Sequence, residues 1–244
     1  MSDVREVLEK AYKEIAEKDF PDGDRIRFIA ELGASDDIEY HYKLICDSWK
    51  SGRRLYLENS FDRHGAEGIE FLFAKLCEAE GDIIKVLTAY LIAEILSKSR
   101  HRDFYAGFCK RLIPILISEI KTCDEVLRRK LIIALGWVGT SNEIGFLTRQ
   151  MLSDDDALCR VWSASSLMQM SFHGVSKEEV CEASKDAFAK VLSDEKDIQA
   201  CGLILESVQT LYGKKWVSSS AVEDVDEARI EKGRNSALRF LSKL

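Results

Sequence analysis

Proline and glycine, which end helices and shape turns, are scarce in this sequence. It contains 2 prolines and 14 glycines in 244 residues, and long stretches contain neither. A fold built from many short strands needs frequent turns, so this composition argues against an all-β protein and favours long helices. We therefore predict an all-α protein.

Motifs of the common catalytic and cofactor sites are also missing. The sequence has no GxGxxG loop, no Walker loop and no GxSxG elbow, so nucleotide binding and serine-hydrolase chemistry have no support. The four histidines, His41, His64, His101 and His173, are scattered and lack the spacing of a zinc site. We therefore predict a non-enzymatic protein without a metal or a cofactor.

Positive charge is in deficit. The chain has 35 Lys and Arg against 42 Asp and Glu, a net charge of −7. Binding to a phosphate backbone depends on clustered lysines and arginines that release counterions. We therefore expect no nucleic-acid partner, and predict that the partner is another protein with a basic surface.

Disulfide frameworks and membrane segments are not indicated either. Seven cysteines, an odd number without close pairs, fit neither a disulfide framework nor a zinc ribbon. Most fall on apolar helical stripes, where a free cysteine acts as a small hydrophobe in a reducing compartment. The first residues, MSDVREVLEKAYKEI, are too charged for a signal peptide or a membrane span. We predict a cytoplasmic protein that does not contact membranes.

Apolar residues recur at helical spacing along most of the chain. This periodicity predicts a single domain over residues 1–244, made mainly of helix pairs. Its predicted parts are N-terminal helices in 1–49, a connector in 50–64, helix pairs in 65–213, and a linker with a capping helix in 214–244.

The connector, KSGRRLYLENSFDRH, is polar and basic with interspersed apolar residues. A connector of this length either packs as a lid or is disordered, and long ordered loops are often functional. We therefore take Arg53, Arg54 and Tyr56 as candidate contact residues. The alternative is that the apolar residues only tether the connector.

The clearest pattern lies in residues 127–170, where two amphipathic helices that resemble each other are joined by a shorter one. Each helix combines an acidic turn, an early basic residue and small residues in its middle. The first set is Asp124, Arg128, Arg129, Ala134, Leu135, Gly136 and Gly139, and the second is Asp154, Arg160, Ala164 and Leu167. This combination resembles HEAT repeats, particularly the short bacterial kind related to lyase-type repeats.

The resemblance implies a right-handed α-α superhelix of about four helix pairs, with N-terminal helices and a C-terminal capping helix. In such stacks the second helix of each pair lines a concave groove. Small residues let neighbouring helices approach closely, and an early arginine can reach the acidic turn of the adjacent repeat. We therefore predict that Arg128 and Arg160 are struts between repeats rather than ligand contacts.

Two tryptophans lie on the predicted second helices. Trp137 is off the apolar stripe of its helix, so we expect it in the groove, where a tryptophan suits a protein partner. Trp162 shares a stripe with Leu158, so we expect it in the core. The candidate groove residues are Tyr90, Glu94, Trp137, Glu206 and Gln209.

The function predicted from these features is a protein-binding scaffold or adaptor. A small acidic scaffold of this kind also suits a toxin-neutralising immunity protein. Two alternatives stay open. One is a helical-repeat DNA glycosylase acting on alkylated bases, and the other is a lyase-like or chaperone factor for cofactor attachment.

Overall fold

The computed structural model describes residues 2–79, 81–121 and 124–244, and in these residues every regular element is a helix. The predicted all-α class is therefore confirmed. Cys123, one of the seven cysteines, lies outside the described residues. None of the described helices is both long and apolar enough to cross a membrane. Contacts divide the chain into two compact units, Met1–Ile95 and Leu96–Leu244.

The first unit contains the region of the predicted N-terminal helices and the connector. Its elements are α1 (Ser2–Glu17), α2 (Asp22–Ala34), α3 (Ile38–Ser51), a 3-10 helix (Leu57–His64), α4 (Gly65–Glu78) and α5 (Asp82–Lys98), whose last residues belong to the second unit. Asp37 caps α3 by accepting the amide of Tyr40 at 3.0 Å. Arg5 of α1 donates two hydrogen bonds to the same carboxylate, at 2.7 and 2.9 Å. A single aspartate therefore both starts α3 and joins it to α1.

The connector is ordered, and its 3-10 helix packs against α2, α3 and α4. Leu55, Leu57 and Phe61 are buried. Ser60 donates its hydroxyl to the carbonyl of Ile29 at 2.6 Å. The apolar residues of the connector therefore hold it against the helices. Of the two expected states, packed or disordered, the connector is in the packed one.

The second unit continues the helix pairs. Its elements are α6 (Tyr105–Ile120), α7 (Glu125–Val138), a 3-10 turn (Ser141–Glu143), α8 (Ile144–Ser153), α9 (Ala157–Phe172), α10 (Lys177–Asp194), α11 (Ile198–Tyr212), α12 (Ser219–Glu223) and α13 (Glu227–Leu241). Helix α6 runs through Pro114 without a break. The predicted linker contains α12, whose five residues are too few to show a helical period.

Successive pairs in this unit stack in two layers. Helix α9 packs between α7 and α11, while α8 packs against α10. Within pairs, α6 packs on α7, α8 on α9 and α10 on α11, and α13 covers both α10 and α11. The predicted helix pairs and capping helix are therefore present, in the arrangement of a solenoid.

Small residues set the distance between α7 and α9. Ser166 donates its hydroxyl to the carbonyl of Ile132 at 2.9 Å. A Cβ atom added to Gly136 would lie 2.7 Å from the Cβ of Ser166, which is closer than packed atoms approach. The two helices can therefore meet this closely only because position 136 has no side chain.

Candidate functional site

In the second unit, three aspartates cap the second helix of successive helix pairs at equivalent positions. Asp124, Asp156 and Asp197 cap α7, α9 and α11, and each accepts the backbone amide three residues further on, at 2.7 to 3.0 Å. Aligning these caps makes Val126, Leu158 and Gln199 equivalent positions. Because the helices pack side by side in the same direction, equivalent positions lie on the same side of the layer.

Two arginines connect each helix to the turn before the next one, as predicted. Arg128 of α7 makes a bidentate pair with Asp154, with both distances 2.8 Å. Arg160 of α9 makes the same pair with Glu195, at 2.7 and 2.8 Å. These guanidinium groups therefore serve the scaffold.

Glu195 is the most deeply buried carboxylate of this series, with 2% of its side chain exposed. It also accepts the amides of Lys196 and Asp197, each at 3.0 Å. Burial raises the pKa of Glu195, but the hydrogen bonds from Arg160 and the two amides outweigh it, so the pKa is lowered. The carboxylate is therefore a structural anion.

Sequence reasoning missed the third member of this series. In α11 the position equivalent to Arg160 is Cys201, so α11 has no arginine there. The guanidinium of Arg234, on α13, lies beside Cys201 instead. It donates to the sulfur of Cys201 at 3.0 Å and to the carbonyl of Glu195. No local pattern could reveal Arg234, because it lies 33 residues away in the chain.

The equivalent exposed or half-buried positions of α7, α9 and α11 form one surface, which we call the open face. It consists of Val126, Lys130, Ile133 and Trp137 on α7, Leu158, Trp162, Ser165, Gln169 and Phe172 on α9, and Gln199, Leu203, Glu206 and Thr210 on α11. Several of these side chains are large and apolar, which is unusual for a surface in contact with water.

The expected burial of Trp162 is wrong. Leu158 and Trp162 are 39% and 38% exposed. The buried stripe of α9 instead contains small residues, among them Ala164 and Ser166. Large side chains at the closest contacts would hold the stacked helices apart, so small residues occupy those contacts while Leu158 and Trp162 face outward.

A groove of about 380 Å³ runs between α9 and α11 on the open face. It is lined by Leu158, Val161, Trp162, Ser165, Met168, Leu203, Glu206, Ser207 and Thr210. Glu206 is half-buried, and its Oε1 accepts the hydroxyl of Ser219 at 2.6 Å. The groove therefore combines a tryptophan with an oriented carboxylate.

The other predicted residues of this unit have different surroundings. Trp137 is half-buried on the open face. The side-chain amide of Gln209 donates to the carbonyl of Val217 at 3.2 Å and accepts the amides of Trp216 and Val217 at 2.9 and 3.2 Å. Its polar atoms therefore fasten the segment that follows α11.

Tyr90 and Glu94 lie on α5 in the first unit, and both are half-buried. Burial and, secondarily, the charge of Glu94 raise the pKa of the Tyr90 hydroxyl. The tyrosine is therefore neutral at physiological pH and is not an activated base.

Arg53, Arg54 and Tyr56 are exposed on the connector. Arg25 of α2 donates to the carbonyl of Arg54 at 3.3 Å, and its guanidinium lies 5.7 Å from the centre of the Tyr56 ring. Arg53 lies 5.7 Å from the ring centre of Phe20. These contacts give the basic segment a defined conformation.

Two histidines that are distant in the sequence meet behind the connector. The Nε2 atom of His41 lies 2.8 Å from the carbonyl of Leu57 and must carry the proton that it donates. Its Nδ1 atom, 2.8 Å from Nε2 of His64, therefore accepts from His64. Burial lowers the pKa of His41 to about 4, so the pair is neutral at physiological pH.

A larger cavity, of about 540 Å³, lies beside α6 and the turns that follow α7 and α9, and its lining includes Tyr105, Cys109 and His173. Burial raises the pKa of the Cys109 thiol and raises that of Tyr105 to about 12. Neither group is therefore an activated nucleophile. The described residues also contain no cluster of three or more His, Cys, Asp or Glu side chains that could hold a metal ion.

Comparison with known proteins gives this site no precedent: no family model, no curated protein and no solved structure matches the chain.

Proposed function

We propose that this protein is a binding scaffold or adaptor whose protein partner docks on the open face. The observation that carries the proposal is the outward stripe of α9, where Leu158, Trp162 and Phe172 are 39%, 38% and 61% exposed. Exposed rows of large apolar side chains are typical of interaction surfaces. Tryptophan is also the residue type most enriched among those that dominate binding energy.

Charge supports a partner with basic residues beside its apolar ones. The chain carries a net charge of −7, and Glu206 lines the groove next to Trp162. Complementary charge speeds association and rejects partners of the same sign. We extend the proposal to neutralisation of a basic toxin, a role that suits a chain with a net charge of −7.

The geometry gives the glycosylase alternative less support. Such an enzyme needs cations that face the DNA backbone. Arg128, Arg129 and Arg160, the arginines of the α7 and α9 helices, each form a bidentate pair with a carboxylate of the protein itself. Their charges are therefore compensated before any DNA arrives.

The test is partner capture from cells of the source organism, followed by titration of the purified partner. We expect Leu158→Asp and Trp162→Ala to weaken binding at least tenfold, because both remove apolar contact area from the open face. Leu152→Asp is the matched control, since Leu152 is 37% exposed but lies on α8. Equal binding by Leu158→Asp and Leu152→Asp would overturn the proposal.

A gel shift with duplex DNA at low salt distinguishes the glycosylase from the scaffold. We expect no retarded complex. Tight binding that falls steeply with added salt would instead favour the glycosylase and contradict the scaffold proposal.

A further inference from the structure

We propose that the groove between α9 and α11 binds an arginine side chain of the partner, with its guanidinium stacked on Trp162 and paired with Glu206. This inference rests on the proposed function and specifies the chemistry of its central contact. Three features of the groove carry it: an uncovered indole, an oriented carboxylate, and walls that are otherwise apolar or hydroxyl-bearing.

The indole of Trp162 is available for stacking. Other aromatic rings are covered by the protein's own cations, such as Phe240, which has Lys214 4.9 Å from its centre, and Tyr56, which has Arg25. Within the described ranges, neither an aromatic ring nor a cation lies against Trp162, which is 38% exposed. Tryptophan is the best of the aromatic side chains at attracting a cation to its face.

Glu206 supplies the matching negative charge. Among the groove-lining residues of the described chain, it is the one with an ionisable side chain. The hydrogen bond from Ser219 to Oε1 fixes the orientation of the carboxylate. No donor among the described residues bonds to Oε2, so that oxygen can accept from a ligand.

Arginine satisfies both groups at once. Its planar guanidinium can stack on an aromatic face while its edge donates to a carboxylate, whereas the lysine ammonium is a point charge without a stacking plane. The aliphatic part of the side chain would pack on Leu203 and Met168, which line the same groove. A purely apolar side chain would instead desolvate Glu206 without replacing its hydrogen bonds.

The experiment uses the full-length protein and two helical peptides that place leucine, a test residue and leucine on one face. The test residue is arginine in one peptide and citrulline, its uncharged isostere, in the other. Binding is followed through the indole N–H signals of the tryptophans in NMR spectra, with the Trp162 signal assigned by Trp162→Phe. We expect the arginine peptide to shift the Trp162 signal saturably and to bind about tenfold more tightly than the citrulline peptide.

Glu206→Gln removes the charge and keeps the shape, so we expect it to erase the preference for arginine over citrulline. Glu182→Gln, which replaces an exposed glutamate on α10, is the control and should leave the preference unchanged. Equal binding of the two peptides, or no shift of the Trp162 signal with the arginine peptide, would overturn the arginine inference. The scaffold proposal would still stand if Trp162→Ala and Leu158→Asp abolish capture of the natural partner.

Discussion

At the scale of single residues, the buried histidine pair makes stability depend on pH. The pKa of His41 is about 4 in the folded protein, against 6.5 in an exposed histidine. The unfolded chain therefore binds more protons than the folded one between these values. Neutral His41 therefore contributes fully to the free energy of unfolding above pH 6.5. This contribution is lost as the pH falls toward 4, with about 2 kcal/mol lost by pH 5.

His41→Gln tests this dependence, because glutamine can still donate to the carbonyl of Leu57 but does not titrate. We expect the variant to be less stable than the wild type at pH 7.5, and the difference in free energy of unfolding to shrink by about 2 kcal/mol at pH 5. Urea denaturation at the two pH values gives the measurement. His101→Gln, at an exposed histidine, shows what a histidine replacement alone contributes. A difference that stays constant with pH would contradict the prediction.

Single residues also show why the site was only partly predictable. The position of Trp137 off the apolar stripe of α7, a local property of the sequence, predicts a side chain in the groove, and Trp137 is half-buried on the open face. Gln209 was also proposed as a contact, but its amide is engaged by the backbone of residues 216 and 217. Periodicity identifies the side of a helix on which a residue lies, and it does not identify which later segment covers that side.

At the scale of elements, the close approach of α7 and α9 can be tested with two glycines. Gly136→Ala would place a Cβ atom 2.8 Å from the Cα of Ser166, so the helices must separate. We expect the free energy of unfolding to fall by about 2 kcal/mol.

Gly107→Ala is the matched control, because the added Cβ has no atom within 4 Å. Position 107 lies inside α6, where alanine is a better helix former than glycine, so we expect a gain of up to about 1 kcal/mol. Thermal or urea denaturation of both variants measures the contrast. The same sign of change in both variants would show that helix propensity, rather than interhelical contact, dominates at position 136.

The ion pairs between repeats allow a second test at this scale. Arg160→Ala leaves Glu195 buried without its guanidinium partner, so we expect a loss of about 3 kcal/mol in the free energy of unfolding. Lys190→Ala removes an exposed pair with Asp194, whose side chain is 61% exposed, and should cost less than about 0.5 kcal/mol. A loss for Arg160→Ala no larger than that for Lys190→Ala would show that the strut is dispensable.

Most helices could be predicted from local patterns. The helix pairs from α4 to α11 and the final helix α13 follow apolar periodicity, and aspartates cap α7, α9, α11 and α13. The 3-10 helix of the connector was missed because a helix with three residues per turn does not produce the α-helical period. It packs against the flanking helices α3 and α4 and also against α2, where the bond from Ser60 to Ile29 spans 31 residues of the chain and leaves no local pattern.

At the scale of the whole molecule, the thiols should differ sharply in reactivity. Of the six described cysteines, Cys77 is exposed and the others are half-buried or buried. Burial raises the pKa of Cys46, Cys109, Cys159, Cys181 and Cys201, which lowers their thiolate fraction.

The rate of thiol modification is measured with a thiol-reactive disulfide reagent on the native Cys123→Ser protein. In this variant the six cysteines named above are the groups that can react. We expect one rapidly reacting thiol, and we expect Cys77→Ser to remove the rapid phase. All six thiols should react after denaturation. Several rapid equivalents in the native protein would show that the buried thiols are accessible through opening motions.

By itself the sequence determined the all-α class, the helix pairs and the pairing of Arg128 and Arg160 with acidic turns, because periodicity, caps and repeated spacing are local. Only the tertiary structure decided that Trp162 faces outward, that Arg234 supplies the missing arginine and that His41 meets His64. Each of these outcomes depends on how closely segments distant in the chain approach one another. Between α7 and α9 that distance is set by Gly136 and Ser166, whose effect is visible only when the helices are packed.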